Sequence, residues 1–220
     1  MKVGIIGLGL IGGSISLKLK EVNNDITIYG FDKNNQSLDF SLSKQIIDYK
    51  LDLESLLDFD YLFLAIPVES IKSQLASILD KISERTLVID FGSTKYQICN
   101  SVSKHYKRGN FLAAHPIAGT EFSGPIAAKK DLFDNKVMIL CETEKTNSSL
   151  LSLAIEMFKS LGMNIKTMDA IEHDKHIAYV SHLSHISSFM LGKTVMDKED
   201  DDQTIYDMAG SGFESTVRLA

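Results

Sequence analysis

The chain has few cysteines, no apolar run of bilayer-spanning length and no excess of positive charge. Its only two cysteines, Cys99 and Cys141, lie far apart and lack the spacing of a metal site. This pattern excludes a disulfide framework, and we expect both thiols to pack in a core within a reducing compartment. No apolar stretch approaches the roughly 20 residues that cross a bilayer, and the start lacks a cationic signal region. We therefore expect a cytoplasmic location and no membrane partner.

The charge balance excludes a further class of partner. The formal net charge of the 220 residues is −6, whereas nucleic-acid-binding proteins usually present a basic face. Hydrophobic residues make up 44% of the chain and charged residues 24%, which is typical of a globular protein. A small anionic ligand would need a local cluster of arginine or histidine side chains.

Strand-like and helix-like segments alternate through the first three quarters of the chain. The strand-like runs are Lys2 to Ile6, Asp25 to Phe31, Tyr61 to Ile66, Thr86 to Asp90, Phe111 to Ala114, Val137 to Cys141 and Asn164 to Met168. Between most of them lie segments with apolar residues at helical spacing, such as Ile71, Leu75 and Ile78. This order predicts an α/β fold with a doubly wound, parallel Rossmann sheet whose ligands lie at the carboxyl ends of the strands.

The pattern becomes purely helical after Met168. Asp169 has the position of a helix N-cap, and the run from Ile171 to Met190 contains neither proline nor glycine. We expect residues 1–169 to form a nucleotide-binding domain and residues 170–220 to begin an all-helical second domain.

A glycine motif directly follows the first strand-like run. Gly7, Gly9 and Gly12 have the spacing of a dinucleotide-binding turn, and Leu10 and Ile11 stand where its helix would begin. The first glycine allows a tight turn, the second lets the backbone approach a pyrophosphate, and the third allows the helix to pack closely. Unpaired amides and the helix dipole would then hold the diphosphate.

Asp32 follows Gly12 by 20 residues, at the end of the second strand-like run. A carboxylate there accepts hydrogen bonds from the adenosine ribose and repels a 2′-phosphate, which favours NAD over NADP. The neighbouring Lys33 weakens this preference, because its ammonium group could neutralise an added phosphate.

Several residues that could take part in catalysis or binding follow other strand-like runs. Pro67, Gly92 and Ser93 lie beyond two of them, and His115 follows the run Phe111 to Ala114. Histidine accepts a hydroxyl proton near neutral pH, as the dehydrogenation of an alcohol requires. We therefore interpret His115 as a general base at the ligand edge of the sheet.

The long helix carries His182 and His185 three positions apart, so they share a face. The motif lacks the third ligand of a helical zinc site, which favours a polar patch facing a substrate over a metal centre. A merely packed or solvent-facing pair remains an alternative. His173 and His176, earlier on this helix, are interpreted as structural.

Arg218 could hold a carboxylate through two parallel hydrogen bonds, but its position alone is that of a surface charge.

Taken together, these motifs resemble those of the prephenate and arogenate dehydrogenase family of tyrosine biosynthesis. The matching segments are Gly7 to Ser14, Asp32, Ala65 to Val68, Asp90 to Lys95, Ala113 to Glu121, Ser181 to His185 and Ala209 to Arg218. The first is generic to Rossmann enzymes. The sequence H-P-I-A-G-T-E followed by S-H-x-x-H is distinctive.

The resemblance implies an NAD-dependent oxidative decarboxylation of prephenate to 4-hydroxyphenylpyruvate, without a metal. It implies that His115 contacts the ring hydroxyl, with Ser93 beside it. On the substrate side it places Thr120, Glu121, His182, His185, Ser211 and Arg218. Its cofactor-binding positions are Gly7, Gly9, Leu10, Ile11, Gly12, Asp32, Ala65, Pro67 and Gly92.

The chain departs from the family pattern in two places. Ser211 stands where the family more often has glycine, which would narrow the pocket or add a hydrogen bond. Relatives continue past the arginine with helices that form much of a dimer interface. We therefore expect a homodimer formed through the helical domain, and a second domain that is truncated at Ala220.

Three other functions remain open. Arogenate differs from prephenate in one side-chain group, so an arogenate dehydrogenase would have a very similar site. A β-hydroxyacid-type dehydrogenase would use a lysine on the long helix, for which Lys175 is the candidate. A protein that binds NAD without turnover, such as a redox sensor, would need only the glycine loop.

Overall fold

The computed structural model describes residues 1–196 together with residues 210, 213, 216 and 217. The chain divides into two compact units, Met1–His173 and Asp174–Ala220. The strands are β1 (Lys2–Ile6), β2 (Thr27–Phe31), β3 (Tyr49–Lys50), β4 (Tyr61–Leu64), β5 (Leu87–Asp90), β6 (Phe111–Pro116), β7 (Val137–Cys141) and β8 (Asn164–Met168). The helices are α1 (Leu10–Val22), α2 (Asn35–Ser43), α3 (Val68–Lys81), α4 (Tyr96–Ser101), α5 (Ser148–Ser160), α6 (Ala170–Ile177) and α7 (Leu183–Met196).

The first unit is built on an eight-stranded sheet with the order β3-β2-β1-β4-β5-β6-β7-β8. Strands β1 to β6 are parallel, which confirms the predicted Rossmann fold. The strand order reverses between β1 and β4, and in such sheets ligands bind beyond the carboxyl ends at this point. The glycine loop after β1 therefore lies where a nucleotide would bind.

The sheet departs from the predicted parallel arrangement at one edge. β6 and β7 are antiparallel, with His115 opposite Ile139, and β8 then runs parallel to β7. The segment between β6 and β7 contains only the short 3-10 turns Pro125–Ala127 and Lys130–Phe133. Because no crossover helix forms there, the chain turns back instead of crossing the sheet to a parallel position. β3 was also not predicted, since two exposed residues carry no hydrophobic pattern.

Apolar side chains cover both faces of the sheet. One face packs against α1 and α5 through residues such as Ile15 and Phe158. The other packs against α3 and α4 through Ile71, Leu75 and Ile98. Cys99 and Cys141 are buried on this second face, as predicted, and burial raises the pKa of the Cys99 thiol.

The helical segment is broken where the sequence predicts one continuous helix. α6 ends at Ile177, a π-helical turn covers Ala178–His182, and α7 follows. Asp169 caps α6 as expected, since its Oδ1 accepts hydrogen bonds from the amides of Ile171 and Glu172. Among the described residues, no helix is long and apolar enough to cross a membrane.

Candidate active site

The glycine loop joins β1 to α1 at the carboxyl edge of the sheet. Gly7 has a φ of +96°, and a Cβ there would lie 2.3 Å from the carbonyl oxygen of Ala65. At Gly12, a Cβ would lie 1.9 Å from the carbonyl oxygen of Gly7. Both positions require glycine, because a Cβ at either one would clash with backbone atoms and Gly7 also has a positive φ.

Gly9 is different, because a Cβ at this position would meet no atom of the described residues within 4 Å. Packing against the described part of the chain therefore does not explain why this position lacks a side chain. Gly9 immediately precedes α1, whose first turn carries no acidic side chain. The amides of that turn, including those of Leu10 and Ile11, lack intrahelical acceptors and favour an anion. The loop therefore fits a pyrophosphate lying directly against its backbone.

Asp32 follows β2 and faces the glycine loop. Its Oδ2 accepts a hydrogen bond of 2.8 Å from the amide of Leu8, and its Oδ1 accepts one of 2.8 Å from the amide of Asn34. Each carboxylate oxygen keeps capacity for another donor, such as a ribose hydroxyl. Asp32 thus fixes the loop and offers acceptors beside it.

The remaining predicted cofactor positions border the same edge. The amide of Ala65 donates to the carbonyl of Ile6 at 2.8 Å, which holds the end of β4 against β1. Pro67 is exposed and immediately precedes α3. Gly92 follows β5, and its amide donates to Asp90 Oδ2 at 3.1 Å.

His115 lies inside β6, which continues to Pro116 instead of ending at Ala114. Side chains alternate along a strand, so His115 lies on the same sheet face as Phe111 and Ala113. That face also carries Asp90 at the end of the neighbouring β5. His115 is partly exposed, whereas the residues before it in β6 are buried.

A second imidazole contacts His115. Its Nδ1 lies 2.9 Å from Nε2 of His173, and the ring centroids are 5.1 Å apart at an interplanar angle of 71°. His173 is fully buried in α6. Its burial fits the structural interpretation, but the bond to His115 adds a contact that the sequence pattern does not predict.

A buried ion pair lies next to this strand. Lys95 Nζ bonds to Asp90 Oδ2 and, at 2.8 Å, to the carbonyl oxygen of Ala114. Both charged side chains are fully buried. Burial raises the pKa of the Asp90 carboxyl, and the charge and hydrogen bond of Lys95 act in the opposite direction.

The predicted pocket residues of the first unit lie in two loops. Ser93 is exposed in the loop between β5 and α4. Lys95 at the end of this loop donates a hydrogen bond to the Ala114 carbonyl in β6, the strand that carries His115. Thr120 and Glu121 are exposed in the segment after β6, and Thr120 Oγ1 accepts a hydrogen bond from the amide of Phe122 at 3.3 Å. The structure therefore brings the glycine loop, Asp32, the Ser93 loop and His115 to one edge of the sheet.

The other predicted substrate residues belong to the second unit. His182 ends the π-helical turn, and His185 is exposed in α7. The side chain of His182 lies outside the described residues, as do Ser211 and Arg218. Lys175, the proton acceptor of the β-hydroxyacid alternative, is exposed in α6. Within the described residues, no group of three or more histidine, cysteine or acidic side chains could hold a metal ion.

Two family models match the chain. Residues 15–167 match the nucleotide-binding domain of prephenate dehydrogenase, and residues 169–220 match its dimerization domain. A curated prephenate dehydrogenase of Lactococcus lactis is 31% identical over the whole of this chain. The chain spans 61% of that relative's length.

Solved structures give the same assignment. The structure of Aquifex aeolicus prephenate dehydrogenase in complex with hydroxyphenyl propionate and NAD+ is 30% identical, with a TM-score of 0.87. The match covers 100% of this chain and 77% of that one. Synechocystis arogenate dehydrogenase is 29% identical with a TM-score of 0.80, over 100% of this chain and 78% of that one.

Proposed function

The chain belongs to the prephenate dehydrogenase family, and from this premise we propose that it catalyses the NAD-dependent oxidative decarboxylation of prephenate to 4-hydroxyphenylpyruvate. The observation that carries the proposal is the imidazole pair of His115 and His173, on the same sheet edge as the glycine loop. That arrangement supplies a nucleotide cradle and a proton acceptor within one fold.

The cofactor that fits the cradle is NAD. Gly9 leaves room for a diphosphate against the backbone, and the amides of Leu10 and Ile11 would bind it. Asp32 would accept the ribose hydroxyls and repel a 2′-phosphate. Ala65, Pro67 and Gly92 would border the dinucleotide along the carboxyl ends of β4 and β5.

The only acid–base step that the reaction requires of the protein is to accept one proton. Prephenate has a ring hydroxyl opposite a quaternary carbon that bears a carboxylate and a pyruvyl side chain. NAD, when bound, supplies the acceptor for the hydride that leaves the hydroxyl-bearing carbon. The protein aligns the ring and takes the hydroxyl proton, while loss of carbon dioxide completes the aromatic ring.

His115 would take that proton on Nε2. Its Nδ1–H would meanwhile donate to Nε2 of His173, which requires that His173 carries its own proton on Nδ1. This tautomer leaves a lone pair on the reacting nitrogen of His115. When His115 becomes protonated, the bond from its Nδ1–H strengthens and spreads the positive charge over two rings. His173 would therefore orient the base and stabilise its charged form.

Other residues would shape the substrate pocket. Ser93 would lie beside the reacting hydroxyl, and Thr120 and Glu121 would form the pocket entrance. His182, His185 and Ser211 would provide polar contacts from the helical part.

Arg218 would bind the side-chain carboxylate of the substrate. A clamp on the departing ring carboxylate would stabilise the ground state against the reaction.

We assign residues 1–169 to nucleotide binding and residues 170–220 to the substrate and dimerisation domain. The match of residues 169–220 to a dimerization-domain model supports a homodimer. The second unit has large exposed apolar side chains, and a dimer interface would leave such side chains exposed in a single chain. They are Tyr179, Val180, Leu183, Ile186, Phe189, Met190 and Leu191.

Arogenate is the alternative substrate, because an arogenate dehydrogenase is among the similar structures. We would offer the protein prephenate and arogenate, each with NAD and with NADP, and follow formation of the reduced nucleotide. Fastest turnover of prephenate with NAD is the expected result. Faster turnover of arogenate would reassign the substrate. Dinucleotide binding without turnover of either compound would overturn the enzymatic proposal and favour a redox sensor.

A further inference from the structure

The main-chain ladder between β5 and β6 ends one residue before Ala114. Its last pair is Asp90 opposite Ala113, after which the backbone of β5 turns into the loop that carries Gly92 and Ser93. Ala114 immediately precedes His115. The groups of Ala114 that face β5 therefore need partners other than that strand's backbone.

The side chains of Asp90 and Lys95 provide those partners. Asp90 Oδ1 accepts from the amide of Ala114 at 3.4 Å, and Lys95 Nζ donates to the Ala114 carbonyl at 2.8 Å. The same pair holds the loop, because Asp90 Oδ2 accepts from the amide of Gly92 at 3.1 Å. One buried ion pair thus joins the strand that carries His115 to the loop that carries Ser93.

Stability alone does not account for burying two charges here. Both side chains are fully buried, and desolvating such a pair offsets most of the attraction between its members. Packed apolar residues of similar volume often give equal or greater stability. What an apolar pair cannot do is fix the main-chain groups of Ala114 and Gly92 at defined hydrogen-bond distances.

We propose that Asp90 and Lys95 form a positioning pair that sets the relative placement of His115 and Ser93 for catalysis. The inference rests on the proposed function, because it assumes that these two residues act on one substrate. Neither Asp90 nor Lys95 touches the reacting atoms in this role.

A second ion pair, which is bonded to the first residue of β6, provides a matched control. Arg108 bonds to Glu142 at 3.0 Å and to the carbonyl of Phe111 at 2.9 Å, near the amino end of β6. The two charged side chains are 9% and 16% exposed, so this pair is also largely removed from water. It lies at the end of the strand opposite to His115.

The test is the double variant D90N/K95M, which removes both charges and leaves neither one buried alone. We expect kcat per folded molecule to fall by about 10²-fold, since small misplacements of reacting groups have effects of this size. The fall in kcat should exceed the change in KM for NAD, because the pair acts on the cofactor site only through the Gly92 amide. The control R108M/E142Q should lower the melting temperature and leave kcat unchanged.

Parent-like kcat in folded D90N/K95M would overturn the proposal. So would an equal loss of kcat in R108M/E142Q, because destabilisation of β6 would then explain both. If the double variant fails to fold, Asp90→Glu keeps the charges and moves the carboxylate by one methylene. It should lower kcat more than it changes KM for NAD, and parent-like kcat in Asp90→Glu would equally overturn the proposal.

A failure of the proposed function would be seen in the parent protein and not only in the variants. The parent protein itself would then turn over neither prephenate nor arogenate. The positioning pair would still be tested by the ¹⁵N chemical shifts of the His115 ring. We expect these to differ between the parent and D90N/K95M and to be unchanged in R108M/E142Q. Unchanged shifts in D90N/K95M would overturn the positioning role.

Discussion

His115 and His173 are 58 residues apart in the chain, and their rings share a hydrogen bond of 2.9 Å. His115 lies at the open edge of the sheet, whereas His173 is buried in α6. A hydrogen bond between two neutral imidazoles couples their tautomers, because a proton on one of the two facing nitrogens requires a lone pair on the other. The buried ring therefore determines how the exposed ring presents its second nitrogen.

Replacing His173 with phenylalanine keeps the ring volume and removes this bond. We expect kcat to fall by about 10²-fold, because His115 loses its orientation and the stabilisation of its charged form. KM for NAD should change little. Steady-state kinetics with His173→Gln should show partial recovery, because a glutamine carbonyl can still accept from Nδ1–H. His105→Phe is the control, since His105 Nε2 lies 3.3 Å from Asp80 Oδ1, before the amino end of β6. Equal kinetics for His173→Phe and His173→Gln would contradict an acceptor role.

Replacing His115 with asparagine removes the proton acceptor itself. Turnover should fall by about 10²–10⁴-fold, the usual contribution of a general base. NAD affinity, measured by fluorescence titration, should remain nearly intact because the glycine loop is untouched. Full turnover by this variant would remove His115 from the mechanism.

The local features of the nucleotide site could be predicted from sequence. The glycine spacing and the position of Asp32 follow from steric limits within one strand–turn–helix unit, so a short pattern contains them. The structure also distinguishes among the three glycines, which the sequence pattern does not do. Packing requires glycine at Gly7 and Gly12, whereas a Cβ at Gly9 would have none of the residues that the structure describes within 4 Å.

The side chains that contact His115 and its neighbour Ala114 could not be predicted in this way. His173 and Lys95 are single polar residues on helical or loop segments, and such residues are usually exposed. Their burial depends on contacts with β6, which are formed only in the folded sheet. The antiparallel direction of β7 could not be predicted either, because it depends on how the segment before β7 turns back.

The two kinds of glycine predict different consequences for alanine variants. Gly9→Ala should fold with nearly parent stability and bind NAD more weakly, since its Cβ would occupy the open side of the loop. Gly12→Ala should lower the free energy of unfolding by about 1–3 kcal/mol, because its Cβ would meet the Gly7 carbonyl. Thermal melts and NAD titrations of both variants separate the two effects. A destabilised Gly9→Ala with normal NAD binding would contradict this assignment.

Asp32→Asn tests the cofactor preference without removing both acceptor positions. The amide oxygen can still accept from the Leu8 amide, so the loop should stay in place. NAD binding should weaken roughly 10-fold with the loss of charged hydrogen bonds, and NADP binding should weaken less because the repulsion is gone. Parallel titrations with both nucleotides check this, with exposed Asp39→Asn as the control. Equal losses for NAD and NADP would remove Asp32 from the choice of cofactor.

Arg218→Ala tests the proposed carboxylate clamp. An arginine that holds a carboxylate through charged hydrogen bonds contributes mainly to substrate binding, so KM for prephenate should rise about 10-fold to 100-fold. kcat should fall less, because the clamped carboxylate does not take part in the bond changes. Arg85→Ala is the matched control, since Arg85 is an exposed arginine whose ion pair with Asp58 lies on the first unit. If KM for prephenate is the same in the parent, Arg85→Ala and Arg218→Ala, Arg218 does not bind the substrate.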